Sequence, residues 1–189
     1  MYILGISSGL KLGHHDGAAV LIKNGKVIFA AEEERFILSK HARSELPKRT
    51  ILHMLKKFKI SIKDISYVCS PLKTYPNYQK RLEKYFKFNF GYSPEIVLFD
   101  HHYCHAASAY FPSGFEDAII LCADNSGDSS SGGIFSGKKN NIKRLESFSR
   151  ENSLGLYYGM ITQYLGFQMT KDEYKVMGLS SYGKNTYEN

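Results

Sequence analysis

"YILGISSGLKLGHHDGAAVLIKNGKVIFAAEEE", residues Tyr2 to Glu34, decides the fold. "YILGIS" alternates like a strand, a polar glycine-bearing loop follows, and "GAAVLIK" resumes the strand pattern. Asn24-Gly25 then separates this run from "KVIFAAEEE", and Asn-Gly between two β-rich runs is the strongest short-range hairpin signal. Downstream, "PKRTILHMLKKFK" reads as a helix with proline near its start and Ile51, Leu52, Leu55 and Phe58 on one face. A strand "ISYVCS", an aromatic helix around Tyr78, Leu82, Tyr85 and Phe86, and a strand "EIVLF" complete the series. The order is strand, strand, strand, helix, strand, helix, strand.

A second copy of this plan begins near residue 117. "DAIILCA" runs as an apolar strand into the loop "DNSGDSSSGG", Gly132-Gly133 opens a second strand, and "GKKNN" turns into a third. Helices are expected over Leu154–Gly166 and around Glu173–Leu179. The repeated βββαβα unit resembles the actin-like and sugar-kinase-like α/β folds, here one complete unit plus the start of a second. Residues 1–100 are assigned to the first unit, and 101–189 to a histidine-bearing helix with an incomplete second unit. In such folds two units face each other across a cleft. Their strand-to-strand loops hold phosphates through backbone N–H groups that glycine leaves accessible. Fold-level likeness does not by itself give a function.

Three histidines fall within "DHHYCHAASAYF", Asp100 to Phe111. If this stretch is helical and capped by Asp100, His101 and His105 project from one face, a spacing that lets two imidazoles reach one metal ion. Cys104 is expected as a buried small residue. Position 102 is histidine, not the glutamate of an HExxH peptidase, so zinc peptidase chemistry is disfavoured. The spacing alone leaves metal binding and plain hydrogen bonding at a polar helix start both open. Asp124, ending an apolar strand, is the candidate third ligand, and Asp128 fits loop stabilisation better. Two histidines and a carboxylate with open positions suit iron(II) or zinc.

The other polar constellation is "GHHDGAA". His14, His15 and Asp16 lie in the first strand-to-strand loop, where His15 can donate to a phosphate or carbonyl oxygen. Asp16-Gly17 is equally explained by turn chemistry. Ser153 is placed to cap the following helix. Lys175 either neutralises phosphate near Gly178 or is an exposed lysine on a short helix.

Composition narrows the function classes. The chain has 189 residues, 43% hydrophobic, with a formal net charge of +7. Its basic residues between Lys40 and Lys87 fall on outer helix faces, which favours a solvated surface over nucleic-acid binding. No apolar run approaches a bilayer span, the N-terminus lacks signal-peptide regions, and three cysteines without CxxC spacing fit a cytoplasmic setting with free thiols.

Taken in order, four motifs resemble the NodU/CmcH-type O-carbamoyltransferase family: "YILGISSGLKLGHHDGAAVLIKNGKVIFAAEEERF…KH", "DHHYCHAASAYF", "DNSGD" and "SLGLYYGMITQYLGF…DEYKVMGLSSYGK". The resemblance implies an actin-like domain related to threonylcarbamoyl-transferring tRNA-modification proteins. It implies transfer of a carbamoyl group from carbamoyl phosphate, through carbamoyl-adenylate, to a hydroxyl of a small metabolite or sugar. The cofactors implied are a divalent metal, Fe2+ favoured over Zn2+, and ATP with Mg2+ as co-substrate. Carried over by motif, His101, His105 and Asp124 are metal ligands, while His15, Asp16 and Lys40 serve catalysis. Gly127, Gly155, Glu173, Lys175 and Gly178 face the nucleotide. Asn125 replaces the family's usual glycine, and "HDGAA" and "GLSSYG" replace commoner variants, which bears on local loop geometry. Family members are much longer, so a further aspartate ligand and an adenylate-forming domain are expected to be absent here. A fragment, a split enzyme completed by a separate C-terminal chain, and a non-catalytic binding module are the three readings of that length, and the apolar surface of an unfinished second unit leads to an expectation of homo-oligomeric association. A tRNA-modifying relative is the alternative enzyme.

Overall fold

The computed structural model describes residues 1–8 and 15–186. The chain divides into two compact units, Met1–Cys104 and His105–Asn189.

In the first unit, β1 (Tyr2–Ile6), β2 (Ala18–Lys23), β3 (Lys26–Glu32), β4 (Ile65–Ser70) and β5 (Glu95–Leu98) form one sheet in the order β3-β2-β1-β4-β5. The first three strands pair antiparallel, and β4 and β5 add parallel to β1. Asn24 and Gly25 both take positive φ, 49° and 79°, the two-residue turn that matches the twist of a hairpin. The helices are α1 (Glu34–Ile37), α2 (Lys48–Phe58) and α3 (Tyr78–Phe90), and α4 (His101–Tyr110) follows β5. Leu4, Leu21 and Val68 from the strands, Met54 from α2 and Phe86 from α3 are fully buried in one core. Each side chain of this size contributes roughly 1.5–3 kcal/mol when removed from water. The inner face of α2 differs from the expected one. Thr50, Ile51 and Met54 are buried, whereas Leu52 is 46% exposed. One residue beyond Ile51 is a 100° step around the helix, which carries Leu52 off the stripe formed by positions 51, 54, 55 and 58.

In the second unit, β6 (Asp117–Gly127), β7 (Ser130–Lys138) and β8 (Asn141–Phe148) form an antiparallel sheet in that order, followed by α5 (Leu154–Tyr164) and α6 (Glu173–Ser180). The expected polar loop over Asp124–Gly133 is instead a tight hairpin. β6 continues to Gly127, β7 starts at Ser130, and only Asp128 and Ser129, φ 47° and 71°, make the turn. Gly132 is therefore a strand residue: a Cβ there would sit 2.1 Å from the Cys122 carbonyl oxygen. Between Ala123 and Gly127 the pairing register shifts, so Asp124, Asn125 and Ser126 bulge from the ladder.

Among the described residues, no helix is long and apolar enough to cross a membrane.

Candidate active site

In the first unit the polar site grows from the residues just before β2. Asp16, at φ 59°, presents one carboxylate to two imidazoles. Its Oδ2 pairs with His15 Nδ1, and its Oδ1 lies 3.0 Å from His41 Nδ1. The backbone closes the same contact, since Asp16 N donates to the His41 carbonyl at 2.7 Å. Partial burial pushes the Asp16 carboxyl up, but hydrogen bonds from His41 and then His15 outweigh it and hold the group below its ordinary value.

His41 is held in turn by Glu34, whose Oε2 accepts its backbone N–H at 2.8 Å. That bond is the main cause of a lowered Glu34 pKa, with the Lys40 ammonium, 3.3 Å from Oε1, adding to it. Lys40, expected beside His15, thus binds Glu34, and the neighbour His41 occupies the place at Asp16. The segment carrying them is strained: Leu38, His41, Ala42 and Ser44 all have positive φ, between 38° and 67°. Non-glycine residues in this region cost of order 1–3 kcal/mol each and persist only where surrounding contacts impose them. Two such contacts are visible. Gly17 admits no side chain, because a Cβ would lie 2.7 Å from the Glu45 carbonyl oxygen. Glu33, 1% exposed, accepts from Arg49 N, Thr50 N and Thr50 Oγ1 at 2.8, 2.8 and 2.7 Å, anchoring the first turn of α2. Its own N–H donates to the Gly17 carbonyl at 2.7 Å. His14 and residues 9–13 of the first strand-to-strand loop lie outside the described residues.

Asp100 caps α4 as expected, accepting from His102 N and Tyr103 N at 3.0 and 3.1 Å. This places His101 and His105 one turn apart on the helix, with His102 fully buried and Cys104 half-buried rather than buried. Within the second unit, His105 Nε2 approaches Asp124 Oδ2 at 3.7 Å beside a cavity of about 310 Å³ lined by His105, Ser108, Leu121, Cys122 and Asp124. The other carboxylate oxygen of Asp124 is fixed by Asn125 N at 2.6 Å. Ser153 steadies the bulge from below. Its hydroxyl caps α5 by accepting from Leu156 N at 2.9 Å and is shared between the carbonyls of Asp124 and Asn125 at 2.9 and 2.8 Å.

The residues expected at the nucleotide are dispersed through this unit. Gly127 ends β6, half-buried opposite Ser130. Gly155 is where α5 crosses the bulge, and a Cβ would come within 2.6 Å of Asn125 N, so packing alone requires glycine. Glu173 accepts from Thr170 N at 2.6 Å in the first turn of α6. Lys175 forms an ion pair with Asp172 at 2.9 Å, which lowers the Asp172 pKa. Gly178 is exposed, with open space around it.

His41, Glu33 and Glu34 are the polar residues at the first site that sequence reasoning passed over. For His41 a signal existed in the "KH" pair itself, where histidine adjoins the lysine. For the glutamates there was none, because a strand-end run of three acids does not say which one turns inward.

Comparison with known proteins agrees with this architecture. The family model described as the carbamoyltransferase N-terminus matches residues 3–92 and 73–188. The chain is 36% identical over 218 aligned residues to nodulation protein NolNO of Sinorhizobium fredii, covering 97% of this chain and 32% of that protein. It is 48% identical over 84 residues to nodulation protein NolO of Bradyrhizobium diazoefficiens, covering 44% of this chain and 15% of that protein. An uncharacterised Synechocystis protein, sll1178, is 32% identical over 222 residues, covering 98% of this chain and 35% of that one. The chain thus spans about a third of the length of the curated relatives it matches throughout. Among solved structures, YeaZ from Pseudomonas aeruginosa superposes with a TM-score of 0.52 at 11% identity, over 80% of this chain and 68% of that one, a likeness of fold alone. With its actin-like α/β architecture and a family match running almost end to end, the chain belongs to the carbamoyltransferase N-terminus family.

Proposed function

We propose that the chain carries the acceptor-activating residues of an O-carbamoyltransferase that uses carbamoyl phosphate and ATP with Mg2+, by way of carbamoyl-adenylate. The acceptor is a hydroxyl of a small metabolite or sugar. The observation that supports this best is the His15–Asp16 pair. A carboxylate accepting from Nδ1–H fixes the tautomer in which Nε2 carries a lone pair, the state needed to take a proton from a hydroxyl. As the acceptor oxygen bonds the carbamoyl carbon, the bond from that carbon to the adenylate oxygen breaks. AMP leaves with the electron pair, and the hydroxyl proton passes to His15 Nε2.

The donor set also suits a divalent metal. His105 Nε2 and Asp124 Oδ2 at 3.7 Å are close to the separation of two atoms sharing one ion at roughly 2.0–2.2 Å. With His101 one turn earlier on α4, these residues would hold Fe2+ in preference to Zn2+. Such an ion supplies Lewis-acid polarisation of a carbonyl or phosphate oxygen. The role of the chain's own residues there is to orient the ligands: Asn125 N fixes one Asp124 oxygen, and Ser153 holds the bulged backbone behind it.

The test is to supply the natural protein with carbamoyl phosphate, ATP, Mg2+ and a panel of sugars and polyols, and to look for carbamate esters by mass spectrometry. Ester formation that vanishes in His15→Ala, with pyrophosphate release retained, is the expected result. Transfer that persists in His15→Ala would refute the assignment. Isothermal titration with Zn2+ or anaerobic Fe2+ should show at least tenfold weaker binding in His105→Ala, and equal affinity would remove His105 from the metal site.

A further inference from the structure

We propose that His41 is a positioning residue of the transfer site, acting through Asp16 on His15. The inference rests on the function proposed above for His15 and adds a second imidazole to it. The geometry is a His–Asp–His chain: Asp16 Oδ2 pairs with His15 Nδ1, and Asp16 Oδ1 pairs with His41 Nδ1 at 3.0 Å. A carboxylate on an exposed turn rotates unless both oxygens are engaged, and rotation would leave His15 free to change tautomer. His41 removes that freedom. Its ring stands nearly edge-on to His15, 6.1 Å between centroids, so the two imidazoles approach Asp16 from different sides.

The backbone around His41 is built to aim this ring. At φ 67° it lies in the left-handed region, beside Ala42 at φ 38°. It is tied down twice, by its N–H on Glu34 Oε2 and by its carbonyl accepting from Asp16 N. Among the described residues, the charged and titratable groups facing the cluster are His15, Asp16, Glu34, Lys40 and Arg35. Glu34 is engaged by the Lys40 ammonium at 3.3 Å and the Arg35 guanidinium at 3.6 Å. A cation at Asp16, Glu34 and His41 would have to displace them, which favours the hydrogen-bonded chain over a second metal site.

The test compares His41→Gly with His41→Asn. Both residues accept a positive φ, so neither should disturb the fold, but only asparagine keeps a donor near the position of Nδ1. Nitrogen-15 NMR of the imidazoles is expected to show His15 with Nδ1 protonated in the wild type and in His41→Asn, and a tautomer mixture in His41→Gly. In the natural protein, His41→Gly should lower kcat about tenfold with little change in KM, a fraction of the 10²–10⁴-fold that a general base contributes. His41→Asn should restore most of it. An unchanged His15 spectrum in His41→Gly, or a kcat loss that asparagine fails to rescue, overturns the proposal. If the wild type transfers no carbamoyl group, the functional reading of His15 fails, and the imidazole spectra still decide whether His41 positions it.

Discussion

Replacing Glu33 by alanine should destabilise the first unit by about 3 kcal/mol. Three donors, Arg49 N, Thr50 N and Thr50 Oγ1, converge on its buried carboxylate at 2.7–2.8 Å. Hydrogen bonds to a charged acceptor are worth about 1.5–3 kcal/mol each, so their joint loss would exceed 4 kcal/mol if nothing replaced them. Two effects reduce this. Keeping an ionised carboxylate out of water itself costs several kcal/mol, which alanine recovers, and water entering the vacated volume satisfies part of the donor set. The net loss is large against a typical domain stability of 5–15 kcal/mol, and converts to a fall in Tm of about 6–12 °C for a chain of this size. Urea unfolding followed by far-UV circular dichroism measures it, provided the m-value stays constant. Glu33→Gln keeps the volume and one acceptor oxygen but turns an NH2 group toward the donors, and should lose roughly half as much. A Glu33→Ala protein within 1 kcal/mol of wild type would mean that the three contacts do not hold α2, and the argument would be refuted.

Two further outcomes follow from contacts described above. Gly155→Ala forces a methyl group to within 2.6 Å of the Asn125 backbone, and the α5–β6 contact should loosen at a cost of about 1–3 kcal/mol, read as a lower Tm; an unchanged Tm would show that the helix moves away freely. Asp16 has a folded pKa below its unfolded value, so its contribution to stability is fully present above about pH 4 and is lost as pH falls through the folded pKa. The stability curves of wild type and Asp16→Asn should therefore converge as the pH falls below about 4, and a gap of constant width would contradict the pairing of Asp16 with the two imidazoles.

What the sequence made legible was local. The Asn24-Gly25 turn, the Asp100 cap and the Ser153 cap depend on residues within a few positions of one another, and all three take the form expected. The spacing of His101 and His105 belongs to the same class. The remainder depended on pairings across long stretches of chain. Glu33 meets Arg49 and Thr50 from sixteen and seventeen residues away, and His41 meets Asp16 from twenty-five. The strained turn around His41 carries no sequence signature, since Leu38, Ala42 and Ser44 are not residues that announce a positive φ. The extension of β6 through Asp124–Gly127 was hidden for a different reason. "DNSGDSSSGG" has the composition of a loop, and only the close packing of Gly132 against Cys122 shows that part of it is strand.

Glu33 and Glu34 are neighbours of identical chemistry that face unrelated tasks, one inside the protein on α2 and the other beside the His41 backbone. A change at Glu33 acts through abundance, because a loss of a few kcal/mol exposes the chain to cellular proteases whatever its activity. A change at Glu34 releases the His41 backbone N–H and the Lys40 and Arg35 cations that its carboxylate holds. Within one acidic run, then, adjacent codons govern two separate supports, the seating of a helix and the tether of a strained turn.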